Sequence, residues 1–313
     1  MAGDTLARIG TVSLNPAFDL TIPLERLEPG EVNRAAATEL RPAGKGINVS
    51  VMLSVLGEPS VATGLLGAED VAAFEAFLRP MGVVCRFEPV PGRCRINVKV
   101  VETAGGRVTD INSPGTAATA DAIPALQQRL LTAPELMVVS GSLPPGLPLE
   151  EWSGLMQHLA AGGRRIILDT SGPAFGAALP AKPFLVKPNR SELTAVLGRP
   201  LVGREALLQA ALELQQQGVR QVVVSDGAEG ALFLLGDARL WVRPPPVPLT
   251  TTVGAGDAMV AGLAAALARG HDAEAAARLA TGCAAAAVSR PASALPAAAE
   301  ITRLAAAAHV ERL

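Results

Sequence analysis

The chain has 313 residues, 49% hydrophobic and 18% charged, a balance that suits a compact globular protein and excludes a disordered or fibrous one. Its 27 basic and 29 acidic residues give a formal net charge of -2 with no basic tail or stripe, so there is no electrostatic footprint for nucleic acid. The three cysteines, Cys85, Cys94 and Cys283, leave one over from any pairing and lack C-x-x-C spacing; they read as reduced thiols of a cytoplasmic protein. Met1 to Asp4 places an acid where a signal peptide needs positive charge. Ala258 to Leu267, the longest apolar stretch near the C-terminus, falls short of the roughly 20 residues that span a bilayer. Neither export nor a membrane partner is expected.

In chain order, short apolar or β-branched runs at Arg8 to Leu14, Ser60 to Leu66, Leu136 to Ser140, Arg165 to Asp169, Phe184 to Lys187 and Val219 to Ser225 are separated by longer helical patterns. This alternation predicts βαβ units. Leu136 to Val139 and Val222 to Val224 are apolar without alternation, as in strands covered on both faces. The expected fold is therefore α/β, a doubly wound and mainly parallel sheet forming one domain over 1–313.

A different texture marks Arg95 to Val100, where polar and apolar residues alternate, placing Arg95, Asn97 and Lys99 on one strand face that is wet or ligand-bound. With short strands predicted at Glu31 to Leu40 and Gly106 to Asn112, it forms a small antiparallel sheet, a lid drawn from about 11–40 and 92–113. Ile96 and Val98, behind the polar face, offer a surface for a homodimer. The proline run Pro244 to Pro248 predicts a stiff extended connector. Ala273 to Val288 and Ile301 to Val310 read as core and covering helices.

Two glycine-rich turns open helices. In Ala43-Gly44-Lys45-Gly46-Ile47-Asn48 the glycines admit a ligand close to the backbone, and Lys45 and Asn48 offer donors to hydroxyls or phosphate. A tight turn with a solvated lysine is the plainer alternative. In Thr252-Val253-Gly254-Ala255-Gly256-Asp257 small residues lead into a helical pattern that stops at Gly270. Unpaired N–H groups of Gly254, Ala255 and Gly256 at the positive end of the helix dipole suit a phosphoryl group. A carboxylate there would repel a static anion but suits a base that deprotonates an attacking hydroxyl, which makes Asp257 the candidate. Taken alone, the motif fits an ordinary helix cap equally well. Gly44-Lys45-Gly46 lacks the spacing of a Walker A loop, and Met259 breaks G-x-G-x-x-G. Asp19, a lone carboxylate after the first strand, either binds sugar hydroxyls or caps a turn.

These two turns, together with Ser140-Gly141-Ser142-Leu143-Pro144-Pro145-Gly146, Lys187-Pro188-Asn189-Arg190-Ser191-Glu192 and Ser225-Asp226-Gly227-Ala228-Glu229-Gly230, occur in the order found in the ribokinase-like PfkB carbohydrate kinases. The chain resembles that family over essentially its whole length, and its hexose-phosphate branch most. The resemblance implies an ATP- and Mg2+-dependent enzyme that phosphorylates a ketohexose phosphate. Fructose 1-phosphate going to fructose 1,6-bisphosphate is the first choice, with tagatose 6-phosphate or fructose 6-phosphate as alternatives and a non-catalytic sugar-phosphate sensor as the other class. It further implies that Asp19, Gly44, Lys45 and Asn48 hold sugar hydroxyls, and that Arg95, Ser140 or Ser142, with Lys99 and Arg34, hold the existing phosphate. Lys187, Asn189, Ser225, Gly227 and Gly230 would line the ATP site, and Glu192 would serve magnesium. Arg95 and Lys99 also make physical sense without the family, since a substrate phosphate needs compensating cations; a charged edge strand is the alternative. Lys187 and Glu192 could form a surface ion pair. Cys94 stands where relatives commonly carry Thr, and Asp226 and Glu229 put two acids in the presumed nucleotide loop.

Overall fold

The computed structural model describes residues 7–291 and 294–313; Met1 to Asp4, read above for a signal sequence, lie outside them. The first half of the chain runs β1 (Ile9–Ser13), β2 (Ala17–Leu24), β3 (Glu39–Ala43), α1 (Lys45–Val55), β4 (Ser60–Gly67), α2 (Val71–Leu78), β5 (Val83–Val90), β6 (Arg95–Glu102), β7 (Val108–Asn112) and α3 (Ala122–Leu130). The second half runs β8 (Leu136–Ser140), α4 (Leu149–Ala161), β9 (Arg165–Asp169), α5 (Pro173–Ala178), β10 (Leu185–Val186), α6 (Arg190–Leu197), α7 (Gly203–Gln216), β11 (Gln221–Ser225), β12 (Ala231–Leu235), β13 (Ala238–Arg243), α8 (Ala255–Arg269), α9 (Ala273–Val288), α10 (Ala298–Ala307) and β14 (His309–Arg312).

The large sheet has the order β14-β13-β12-β11-β10-β9-β8-β1-β4-β5. From β5 to β11 the pairings are parallel, and β12, β13 and β14 add an antiparallel edge. Apolar side chains leave both faces of its strands. On β8, Met137 and Val139 join one core cluster with Trp152 of α4 and Leu214 of α7, while Leu136 and Val138 join another with α8 and α9. This is why these strands lack alternation. The alanine-rich helices lie very close together: a Cβ on Gly262 of α8 would come within 2.7 Å of the Ala280 backbone of α9. Small residues thus trade side-chain volume for close helix contact.

The small sheet has the order β3-β2-β6-β7. Its outer pairs are antiparallel, as expected, whereas β2 and β6 run parallel. Its boundaries differ from expectation in two places. Residues 11–13 belong to core strand β1, and 31–38 form no strand. The Asn33 side chain bonds the backbone of Glu28 and Glu31, folding this stretch into a turn that competes with a sheet ladder. At the C-terminus the expected helix Ile301 to Val310 stops at Ala307, because Ala308 is extended and His309–Arg312 pairs with β13.

Candidate active site

In open α/β sheets, ligands settle outside the carboxyl ends of the strands, near the point where strand order reverses. Here β1 is flanked by β4 on one side and β8 on the other, and a cleft of about 1160 Å³ opens at that edge beneath the small sheet. The ends of β10 and β11 and the N-termini of α1, α6 and α8 all reach it.

Two of those helices begin on glycines with positive φ, Gly44 at 124° and Gly254 at 82°, and neither start has a side-chain cap. Their first N–H groups are left for a ligand. At Gly44 a Cβ would come within 3.1 Å of the Pro16 backbone, so glycine is needed for both conformation and space. By contrast, α6 is closed by a capping box: Asn189 accepts from the Glu192 N–H at 2.8 Å and Glu192 Oε2 accepts from the Asn189 N–H at 2.9 Å. Part of the side-chain capacity of Asn189 and Glu192 therefore goes to the helix.

Asp257 lies in the first turn of α8, is 7% exposed, and accepts a 2.8 Å hydrogen bond from Asn48 Nδ2 of α1. Burial pushes its carboxyl up to about 6, with the like charge of Asp169 adding to the effect, against the pull of Lys45, Asn48 and Lys187. Lys187 runs beside the same turn, since a Cβ on Gly256 would sit 3.4 Å from its Nζ. Asp169, at the end of β9, belongs to none of the glycine-rich motifs. It is 1% exposed, 3.2 Å from Lys187 and 3.3 Å from Lys45, and accepts from Ser140 Oγ at 3.1 Å. Burial works to raise this carboxyl, yet the two lysines hold it below the usual range. Its signal was present as a carboxylate ending an otherwise apolar parallel strand, where ligand sites form.

The wall above is the polar face of β6 and its neighbours. Register places Asp19 opposite Asn97, and Lys99 opposite both Thr21 and Asp110. Lys99 lies 3.5 Å from Asp19 and 3.4 Å from Asp110, and Asn97 donates to Asp19 at 3.2 Å. Lys99 is thus shared by two carboxylates. Arg95 is less satisfied: it donates to the Ser113 carbonyl at 3.0 Å, but its buried Nε has no partner, and burial lowers its pKa. Asn97, Asp110 and Asn112 line the cleft and went unassigned in the sequence.

Of the residues singled out from the sequence, Asp19, Gly44, Lys45, Asn48, Arg95, Lys99, Lys187, Asn189, Glu192, Ser225, Gly227, Gly230 and Gly254 through Asp257 line this one cleft. Ser140 and Ser142 do not. Ser140 turns toward Asp169 on the neighbouring strand, and Ser142 accepts from Asn15 at 3.3 Å on the surface. Arg34 lies in the exposed turn, away from the cleft-lining set. Lys187 pairs with Asp169 rather than Glu192. Asp226 is neutralised by Arg190, whose Nε donates to it at 2.7 Å, and Glu229 is exposed, so neither acid faces a phosphate unpaired. Cys94 packs against the cluster of α2 and β5, outside the cleft, with its thiol pushed up to about 11 by burial.

Comparison with known proteins agrees with this geometry. The chain is 45% identical over 278 residues to a 1-phosphofructokinase of Rhodobacter capsulatus, covering 88% of each chain. Its fold is similar to that of Escherichia coli phosphofructokinase-2 in complex with substrates and products, with a TM-score of 0.91, 31% identity, and coverage of 96% of this chain and 99% of that one. A tetrameric inhibited form of the same phosphofructokinase-2 is similar at a TM-score of 0.90, with the same identity and coverage. The model of the pfkB family of carbohydrate kinases matches residues 12–299. A doubly wound core, a four-stranded sheet over its carboxyl edge and an aspartate on a glycine-started helix therefore coincide with a family match along nearly the whole length, and the chain belongs to the pfkB family of carbohydrate kinases.

Proposed function

We propose that this protein is an ATP-dependent kinase that converts fructose 1-phosphate to fructose 1,6-bisphosphate. The observation that carries the reading is Arg95, a cleft-facing guanidinium with a buried, unpartnered Nε, in the same cleft as Asp257. A neutral sugar would leave that cation unpaired, whereas an existing phosphate satisfies it. With the sugar phosphate held by Arg95 and the Asp19–Asn97–Lys99 cluster, the acceptor hydroxymethyl group lies at Asp257, which takes its proton. The γ-phosphoryl group then passes in line to the oxygen, and the free N–H groups at the start of α8, with Lys187 beside them, stabilise the charge in flight. The small sheet acts as the lid that excludes water. Lys187, Asn189, Ser225, Gly227 and Gly230 border the ATP phosphates.

Among the described residues no group of three or more His, Cys, Asp or Glu is placed to hold a metal. This fits Mg2+, which commonly takes one or two carboxylates and completes its shell with substrate phosphates and water. Glu192, with one oxygen free of the capping box, is the residue proposed for it. When bound, the ion supplies neutralisation of phosphate charge.

Arg95→Ala should raise KM for the sugar phosphate about 10- to 100-fold and leave KM for ATP within about twofold, as loss of one charge-assisted contact requires. Equal effects on both substrates would remove Arg95 from this role. An ADP-release assay across fructose 1-phosphate, tagatose 6-phosphate, fructose 6-phosphate, ribose and adenosine tests the substrate choice directly. Fastest turnover on a neutral sugar would reject the reading, and no turnover on any would indicate a sensor.

The outer face of the small sheet carries a cross-strand apolar row, Leu40, Leu20, Val98 and Ile111, of which Leu40 and Ile111 are 54% and 59% exposed. We assign it to a second copy of this chain, giving a homodimer through the lid. Ile111→Asp should sediment as a monomer where the native protein sediments as a dimer. The three cysteines are free in the structure, which fits the cytoplasm, where the ATP for this reaction is found.

A further inference from the structure

Asp70 stands at the N-cap position of α2, where an aspartate ordinarily accepts an N–H from the first turn of its own helix. Here its side chain makes no such cap. The carboxylate, on a residue only 7% exposed, instead accepts the backbone N–H of Cys94 at 2.7 Å. A charged group taken out of water and turned away from its own helix to a segment 24 residues on is costly to place, and the bond it makes is correspondingly strong.

Cys94 is the last residue of the connector that carries the chain from β5 of the large sheet to β6 of the small one, and Arg95 is the next. The core side of that crossing is the end of β4 and the turn at Ala68–Asp70. Gly67 lets the two come together, since a Cβ there would lie within 2.7 Å of the Arg93 and Cys94 backbone. The Glu69 N–H donates to the Gly92 carbonyl at 3.3 Å, and its carboxylate accepts from Arg93 Nε at 2.9 Å on the surface. Of these ties, the one from Asp70 is both buried and charge-assisted, and it reaches the residue next to Arg95. Among the described residues the Arg95 side chain bonds only the Ser113 carbonyl, so the place of its guanidinium follows the place of its backbone.

We propose that Asp70 is a positioning residue for the sugar phosphate: by tying the entry of β6 to the end of β4, it sets the place of Arg95 relative to Asp257. The two ends of one sugar are held on opposite sides of this crossing, the phosphate by Arg95 on the small sheet and the acceptor hydroxyl by Asp257 on the core. A shift of the connector misplaces one end against the other, and displacements of about 1 Å are enough to matter. The proposal rests on the kinase reading above and adds the residue that keeps the spacing of its site.

Steady-state rates with fructose 1-phosphate and ATP varied in turn test it on Asp70→Ala, Asp70→Asn, Arg95→Ala and the double variant Asp70→Ala/Arg95→Ala. Asp70→Ala should raise KM for the sugar phosphate about 3- to 10-fold, the loss of one buried hydrogen bond, with KM for ATP within about twofold. Asp70→Asn keeps an oxygen that accepts from Cys94 and should stay within about twofold of the native protein on both substrates. In the double variant Asp70→Ala should add less than about twofold to the KM of Arg95→Ala, because a residue that acts through Arg95 has nothing left to place. The proposal is overturned by an unchanged sugar-phosphate KM in Asp70→Ala, by an equal rise for both substrates, by Asp70→Asn behaving like Asp70→Ala, or by effects that multiply in the double variant. An Asp70→Ala protein that does not fold overturns it as well, since Asp70 is then a general support. If Arg95→Ala alone raises the sugar-phosphate KM, the kinase reading stands and only the role of Asp70 falls. If Arg95→Ala leaves that KM unchanged, the reading of Arg95 falls and this proposal with it.

Discussion

Asp257→Asn should lower kcat by about 10²- to 10⁴-fold while both substrates still bind, and the same protein should be more stable than the native one at neutral pH. The two outcomes share a cause. Burial beside Asp169 raises the carboxyl from 3.8 to about 6. Because the folded value lies above the unfolded one, the native state binds the proton more tightly, so the contribution of this group to stability is full below pH 3.8 and is lost as pH rises through about 6. At pH 7.5 the ionised carboxylate therefore costs up to about 3 kcal/mol, which the neutral amide avoids while still accepting from Asn48. For catalysis the sign is reversed, since only the ionised form takes a proton. The kcat/KM of the native protein should fall about tenfold per unit below pH 6. A pH–rate profile, denaturant titrations and substrate-binding calorimetry check these results. Near-native turnover of Asp257→Asn would take Asp257 out of the mechanism, and a flat acid limb would contradict the raised carboxyl.

Much of the core was legible because strands buried on both faces leave apolar runs, as at Leu136 to Val139 and Val222 to Val224. The antiparallel edge was harder. β12, β13 and β14 lie in stretches without a distinctive period, and β14 follows α10 so closely that its residues merge into the helical pattern. The turn at 31–38 was missed because the apolar and polar residues there mimic a strand, while the deciding interaction is the Asn33 side chain on the Glu28 backbone. In the site, Asp257 and Lys45 stand out in glycine turns that open helices, whereas Lys187 enters only through the family resemblance; all three line the one cleft. Asp169 escaped because its partners are more than a hundred residues away at Lys45 and eighteen away at Lys187, and a contact of that kind leaves no local spacing. Ser140 was assigned to substrate for the complementary reason: its motif was visible, but its neighbour was not.

Asp169→Asn should destabilise the protein strongly and should also move the acid limb. Asp169 is the counter-ion of Lys187, whose side chain is 4% exposed, and of Lys45, which is more open. Removing one partner of a buried pair leaves an uncompensated charge and costs about 3–5 kcal/mol. The native carboxyl lies below its unfolded value, so the stability it confers is present above pH 3.8 and is lost as pH falls through the folded value. Asp169→Asn should lack that acid-dependent loss, because its stability is already forfeited at pH 7. Its second effect is electrostatic. With one like charge gone and both lysines still near, the Asp257 carboxyl ionises more readily, and the acid limb of kcat/KM should shift below pH 6 even as kcat falls. Denaturant midpoints at pH 7 and at pH 3 and below, together with a pH–rate profile on the surviving activity, make the check. An unchanged limb with a large stability loss would confine Asp169 to holding the lysines; a shifted limb would show that the same buried carboxylate both anchors Lys45 and Lys187 and sets the basicity of Asp257.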